Sequence, residues 1–224
     1  MNILSIDTSG NNYSLSISKE NDITSFQDKS DNVSSESILV EIDNIVSKCS
    51  LSPNQINTLV YNNGPGSFTG IRVSSAIVQA IGFSNDCPVY GINALNLDAY
   101  YLYKKHNVQK IQIAKKAFGD QIFHGLFLVN DKDCLAQESI KTITFSDIKV
   151  QSNYMLATNS KDIESFNDNK YKSIETYIGS ELLIEYYAQY CEKKQGFDYK
   201  DALPSYAGHT ISLSYTHLTL PTKA

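Results

Sequence analysis

Apolar and polar residues recur at two different periods along the first half of the chain. Ile3-Leu4-Ser5-Ile6 is a short apolar run that ends in the turn-forming cluster Asp7-Thr8-Ser9-Gly10-Asn11-Asn12. Tyr13 to Ser18 alternates strictly, apolar against serine, which predicts a strand with only one face buried. A turn at Asn21-Asp22 and an apolar stretch from Ile23 to Phe26 complete a meander. Ser34-Ser35-Glu36 is a polar helix start with an acid in its first turn. Behind it Ile38, Leu39, Ile42, Ile45, Val46 and Cys49 share one helical face, with Asp43, Asn44, Ser47 and Lys48 opposite. Ser52-Pro53 opens a short helical turn, and Thr58 to Asn62 reads as a strand. That strand runs into Asn63-Gly64-Pro65-Gly66-Ser67-Phe68-Thr69-Gly70. A helix is predicted from about Thr69 to Phe83, with Val73, Ile77 and Ile81 as its apolar stripe and Ser74, Ala76 and Ala80 as small positions open to another helix. Pro88 to Ile92 is a further strand, and Ala94 to Lys104 a further helix.

The second half begins in the same way. Gln109 to Ala117, Gln121 to Val129 and Cys134 to Thr144 are strand-like, separated by turns at Gly119-Asp120 and Asn130-Asp131. Residues 144–178 are polar and carry no clear period. Glu181 to Lys193, with Leu182, Leu183, Tyr186, Tyr187 and Tyr190, is an amphipathic helix. The matching order predicts an α/β chain of two lobes. Residues 1–105 form the first (βββαβαβα) and 106–211 the second, with the helix near 181–193 packing back on the first. Residues 212–224, around Thr216-His217-Leu218-Thr219-Leu220-Pro221-Thr222, fit neither pattern and read as a non-native extension.

Composition narrows the function classes. The chain has 224 residues, 42% of them hydrophobic, enough for a substantial core. No stretch is long and apolar enough to span a bilayer, and the N-terminus meets Asp7 without a basic region, so a cytoplasmic protein is expected, with no membrane contact. Cys49, Cys87, Cys134 and Cys191 form no C-x-x-C pair and read as reduced thiols. No His-x-x-x-His occurs among His106, His124, His209 and His217, so no helix-borne metal pair is expected. Nineteen basic and 24 acidic residues give a net charge of -5, and the basic residues are scattered apart from pairs such as Lys104-Lys105 and Lys115-Lys116. Nucleic-acid binding normally rests on clustered positive charge, so this chain is not expected to hold an RNA unaided.

Two turns carry candidate chemistry. A glycine-rich turn between a strand and a helix start is a common phosphate site. Here G-x-G-x-x-G fails because Thr69 occupies the third glycine position, and G-x-x-x-x-G-K-[ST] finds no lysine. The alternative is mechanical: the glycines let backbone pack tightly while Ser67 or Thr69 caps the helix. Asp7-Thr8-Ser9 could likewise hold a metal–nucleotide pair or simply close its turn by an Asx-type hydrogen bond. No G-x-S-x-G elbow is present, which leaves a peptidase without a nucleophile signature.

The run Gly64-Pro65-Gly66-Ser67-Phe68-Thr69-Gly70-Ile71-Arg72, followed by a small-residue helix, resembles the signature of the TsaB (YeaZ) family. Ile3 to Ser9, Tyr13 to Ile17 and Pro88 to Leu95 resemble that family's neighbouring segments, so the likeness spans residues 1–105. It implies the two-lobed fold of actin, Hsp70 and sugar kinases. It also implies a non-catalytic partner subunit of the machinery that adds threonylcarbamoyl to adenosine in tRNA. Such a subunit binds and activates a TsaD-type catalytic subunit alongside a TsaE-type ATPase, reaches tRNA only through the complex, and forms a homodimer when alone. On this reading Asp7-Thr8-Ser9 is a degenerate phosphate turn, and the chain alone binds no cofactor, with ATP placed at most at the complex interface. The helices near 34–49 and 69–83 become the contact surface, with Ile38, Leu39, Ile42, Val73, Ser74, Ala76, Ile77 and Ala80 as candidate interface residues. The alternative is a nucleotide-dependent kinase or ATPase of the same fold. The chain departs from the family pattern at Ser34, at Lys116-Ala117-Phe118 with Gln121-Ile122-Phe123, and after Pro204-Ser205-Tyr206.

Overall fold

The computed structural model describes residues 1–10, 12–28, 34–158, 172–173 (backbone only) and 179–207. The tail at 212–224 therefore lies outside the described residues. Strands β1 (Asn2–Asp7), β2 (Ser14–Lys19) and β3 (Asp22–Gln27) form the expected meander. They are followed by α1 (Ser35–Lys48), β4 (Thr58–Gly64), α2 (Phe68–Asn85), β5 (Val89–Asn93) and α3 (Ala94–His106). The first sheet has the order β3-β2-β1-β4-β5, antiparallel through the meander and parallel from β1 to β5.

The second sheet repeats this plan. It comprises β6 (Lys110–Lys116), β7 (Gln121–Val129), β8 (Cys134–Ala136), β9 (Lys141–Thr144), β10 (Met155–Thr158) and β11 (Lys172–Ser173), in the order β11-β10-β6-β7-β8 with β9 also on β7. β6 is central and pairs antiparallel with β7 and parallel with β10, as β1 does with β2 and β4. The chain thus has the actin-like two-lobed α/β fold, each lobe a mixed sheet with flanking helices. The stretch read as one strand from Cys134 to Thr144 is two, β8 and β9, each paired to a different part of β7. Likewise the long amphipathic helix is a shorter α4 (Ser180–Tyr186) continued by a π-helical turn, Tyr187–Cys191.

Capping fits the local sequence. Ser34 Oγ accepts the Ser37 amide at the start of α1, Asn93 Oδ1 accepts the Leu95 amide at the start of α3, and Lys104, Lys105 and His106 occupy the negative end of the α3 dipole. Leu4, Ile6, Leu15, Ile17, Leu59, Tyr61 and Val89 of the first sheet pack in one core with Ile38, Ile42, Ile45, Val46, Ile77 and Val78 of α1 and α2. A second core is shared by both lobes: Ile3 and Val60 join Leu95 and Leu102 of α3, Leu183 and Tyr187 of α4 and its continuation, and Ile111, Ile113 and Phe127 of the second sheet.

That shared core overturns the reading of β2 as half-buried. Ser14, Ser16 and Ser18 are buried, as are Leu15 and Ile17 between them. They face the start of α4, where the Ser180 amide donates to Ser14 Oγ at 2.9 Å, Ser16 Oγ meets Ser180 Oγ at 2.6 Å, and Ser5 Oγ donates to the Ser180 carbonyl at 2.8 Å. Serine reads as solvent-facing from pattern alone, yet here its small size admits a helix end and its hydroxyl satisfies amides that no helical carbonyl reaches. Ser14→Ala, which strands the buried Ser180 amide, is expected to lower stability by about 1–3 kcal/mol in urea unfolding. Ser25→Ala on β3 is the control and is expected to cost well under that.

Candidate functional site

The two turns singled out in the sequence form one structural unit. β1 delivers Asp7-Thr8-Ser9 at its carboxyl end, and the adjacent parallel strand β4 delivers the Gly64–Gly70 loop beside it. The Ser67 amide donates to the Ser9 carbonyl at 2.7 Å, and Thr8 Oγ1 donates to the Gly70 carbonyl at 2.7 Å. Asn62 fastens the pair. Its amide nitrogen donates to Ser9 Oγ at 2.9 Å and to Asp7 Oδ2 at 3.3 Å, while its carbonyl oxygen accepts the Gly64 amide at 3.0 Å. The Ser9 amide closes its own Asx turn on Asp7 Oδ1 at 2.9 Å.

Glycine is required here for two separate reasons. Gly64 has φ +102°, in the region L side chains rarely adopt, and a Cβ there would lie 2.6 Å from the Ser205 carbonyl oxygen. A Cβ on Gly70 would lie 1.8 Å from the Thr8 carbonyl oxygen, inside any allowed contact. The first turn of α2 therefore sits directly on the Asp7–Ser9 turn. Ser67 is its cap, accepting the Gly70 amide at 3.3 Å.

A third segment closes the unit from the far end of the chain. The Ser205 amide donates to the Asn63 carbonyl at 2.6 Å, and Tyr61 Oη donates to the Leu203 carbonyl at 3.1 Å. Arg72 Nε donates to Tyr206 Oη at 2.8 Å, and its guanidinium lies 3.6 Å from the centre of the Phe68 ring. Pro65, Phe68, Ile71 and Tyr206 meet Phe118 and Phe123 of the second lobe around an apolar cavity of ≈260 Å³.

The candidate interface residues divide sharply. Ile38, Ile42, Ser74 and Ile77 lie in the core of their own lobe, none more than 6% exposed. The inward face of α2 runs through Ile71, Ser74, Ser75, Ile77, Val78 and Gly82, so the expected Val73–Ile77–Ile81 stripe is rotated by part of a turn. Leu39, Phe68, Val73, Ala76 and Ala80 instead line an open groove of ≈510 Å³ between α1 and α2, floored by Ile77. Leu39 and Phe68 are each 50% exposed.

Three further groups were not legible as site residues. Asp98 of α3 is fully buried, and Lys115 Nζ on β6 reaches its Oδ2 at 3.1 Å. Asp7 is buried close by. Burial raises the carboxyl pKa of both acids above the ordinary range, against hydrogen bonds and the Lys115 charge that pull it down. The sequence signal for Asp98 was an acid set among Leu95, Leu97, Ala99 and Leu102 on a core helix. In the sequence Lys115 is only half of the small basic pair Lys115-Lys116, of which Lys116 alone is exposed. His124 is buried, with Nε2 3.0 Å from the Gln112 amide nitrogen, and burial lowers its pKa. Among the described residues no group of three or more histidine, cysteine or acidic side chains is placed to hold a metal.

Gly70→Ala is expected to lower stability by about 3 kcal/mol or more, because backbone must move to admit the methyl group. Thr69→Ala, one residue earlier and exposed, is expected to stay within about 0.5 kcal/mol of wild type in the same denaturation assay. Because the folded state holds protons on Asp7 and Asp98 that the unfolded chain has already released, stability is greatest below the ordinary carboxylate range and falls as pH rises through the window up to their folded pKa values. Asp7→Asn is expected to flatten part of that fall, read by denaturant unfolding between about pH 3 and pH 7.

The family model described as TsaD, tRNA N6-adenosine threonylcarbamoyltransferase, matches residues 29–111. The chain is 30% identical to the tRNA threonylcarbamoyladenosine biosynthesis protein TsaB of Buchnera aphidicola subsp. Schizaphis graminum, over 58% of this chain and 61% of that protein. Identity to the Haemophilus influenzae protein of the same name is 29%, over 55% of this chain and 52% of that one. The chain thus spans little more than half the length of these curated relatives. A match to the Buchnera aphidicola subsp. Acyrthosiphon pisum TsaB runs further, at 27% identity over 79% of this chain and 95% of that one. The solved structure of YeaZ from Pseudomonas aeruginosa superposes with a TM-score of 0.76 over 92% of this chain and 99% of its own, and at 18% identity it speaks to the fold. The Gly64–Arg72 signature, the repeated sheet plan and these relatives agree in supporting the TsaB (YeaZ) family for this chain.

Proposed function

We propose that this chain is a non-catalytic partner subunit in the biosynthesis of threonylcarbamoyladenosine in tRNA, docking on a TsaD-type catalytic subunit through the groove between α1 and α2. The relatives named TsaB support the pathway. The single observation that supports docking is the groove itself: Leu39, Phe68, Val73, Ala76 and Ala80 leave apolar surface open where two helices of the lobe meet. Alanines at successive turns allow a partner helix to approach closely. Partly exposed Arg72 lines the same surface, and arginine is among the residues enriched as interface anchors.

The Asp7–Ser9 turn favours this reading over a nucleotide-dependent enzyme. Its Ser9 carbonyl and Thr8 hydroxyl are both engaged by the glycine loop, and the start of α2 fills the space a phosphate would need. On this proposal tRNA is met only within the complex, together with a TsaE-type ATPase. Any ATP lies at the interface between subunits, and the chain pairs with itself through the same groove when its partner is absent.

Ala76→Arg is expected to weaken association with the catalytic homologue by about a hundredfold or more, read by co-purification and titration calorimetry, because it sets a charged side chain into the groove. Ala76 is exposed, so circular dichroism and thermal unfolding should be unchanged. Full modification of tRNA in vitro without this chain, or undiminished binding by the variant, would remove the proposal.

A further inference from the structure

The second lobe carries a small core of its own, and a polar contact holds the segment that covers it. Ala114 of β6, Ile122 of β7 and Leu156 of β10 are buried there, with Ile143, Phe145 and Ile148 packed against them. Phe145 and Ile148 belong to the connection between β9 and β10, residues 145–154. His124 follows Ile122 by two positions on β7, so it lies on this same face. It pairs in register with Ala114, and Gln112 is two residues along β6 on that face. Gln112 and His124 are both buried.

Gln112 grips the connection at two points. Its Oε1 accepts the Gln151 amide at 2.9 Å, and its Nε2 donates to the Lys149 carbonyl at 2.9 Å. A backbone amide can only donate and a backbone carbonyl only accept, so the Gln112 amide has one permitted orientation. The second hydrogen of Nε2 is left for His124 Nε2, 3.0 Å away. That ring nitrogen must accept, which makes His124 neutral with its proton on Nδ1.

Protonation would set N–H against N–H. Turning Gln112 over to offer Oε1 to an imidazolium would oppose its NH₂ to the Gln151 amide and its oxygen to the Lys149 carbonyl. Either arrangement costs the connection its hold. We propose that His124 and Gln112 form an acid-released latch on residues 149–151, closed while the imidazole is neutral and opened when it takes up a proton, freeing the segment that covers the small core. The charged groups on this face are Lys110 and Lys116 of β6, Lys141 of β9, Glu138 just before it, and Asp147 and Lys149 of the connection, all exposed. Burial holds the ring's midpoint below the ordinary 6.5; Lys141, opposite His124 in register, adds to that, and Glu138 opposes it. The latch is therefore closed at and above that pH and is lost as pH falls through the folded midpoint. It is independent of what docks on α1 and α2.

Two magnetic resonance readouts on the full chain test it: the nitrogen shifts of the His124 ring, which give its tautomer and midpoint, and hydrogen exchange of the Gln151 amide, corrected for the intrinsic effect of pH. At neutral pH the ring is expected to carry its proton on Nδ1. As pH falls, protection of the Gln151 amide is expected to drop at least about tenfold with the midpoint of the ring, while the Ser180 amide at the start of α4 keeps its protection. His124→Gln, which keeps an acceptor and cannot titrate, is expected to hold the Gln151 amide wherever the fold persists. A proton on Nε2 of the neutral ring, Gln151 protection that ignores the titration, or a pH step that survives in His124→Gln would overturn the proposal. So would a ring that stays neutral until the whole chain unfolds. If His124→Gln fails to fold, the two wild-type readouts decide alone.

Discussion

The contact between the first turn of α2 and the carbonyl of Thr8 sets the terms for much of the first lobe. At that distance no side chain fits on residue 70, so the helix start lies on the end of β1 rather than beside it. Every other feature of the unit follows from holding that position. Asn62 must reach across from β4 to the turn, Ser67 must cap the helix from a loop already hydrogen-bonded to Ser9, and Gly64 must adopt a left-handed backbone to enter the loop. The segment from Leu203 to Tyr206 then covers the outside, so residues far apart in sequence share one local fold.

Burial of polar groups is the second constraint, and it joins the lobes. The start of α4 lies on a patch of serines in the first sheet, and its amide and carbonyl are satisfied there. The Asp98–Lys115 pair crosses from α3 to the central strand of the second sheet. Buried pairs of this kind add little net stability, but breaking one partner is costly, so they favour a single relative placement of the elements they join. Around them the tyrosines of α3, α4 and its π-helical continuation stack edge to face, with Tyr100, Tyr186 and Tyr190 about one another. Their number reflects this shared core rather than a surface for bases.

Together these constraints shift the open chemistry outward. A turn at a strand's carboxyl end and a glycine loop at a helix start are both features that can receive phosphate, and here each occupies the other. Among the described residues the groove between α1 and α2, the aromatic cavity at Phe68 and Phe118, and a cleft lined by Phe26, Tyr101, Lys104 and Glu181 remain accessible. A subunit that acts by contact, as proposed, needs such surface and no reactive groups of its own.

The sequence by itself determined the element order of the first lobe, the polar helix start at Ser34-Ser35-Glu36 and the family resemblance, because these depend on period, local hydrogen bonding and a contiguous motif; it narrowed the cap of α2 to Ser67 or Thr69, and the structure chose Ser67. It also determined that Asp7-Thr8-Ser9 and the glycine loop matter, though not that they are one object. Only the tertiary structure decided which faces are inside. β2 carries its serines inward because a helix from the other end of the chain lands on them, and α2 is rotated because Gly70 must face Thr8. Ile38 and Ile42 are core while Leu39, one position over, is surface, a distinction that a hydrophobic stripe does not encode. The partnership of Asp98 with Lys115 was likewise invisible, since a charge pair between segments has no period and no spacing. Such pairings depend on where the lobes meet, and that is settled by packing across the whole chain.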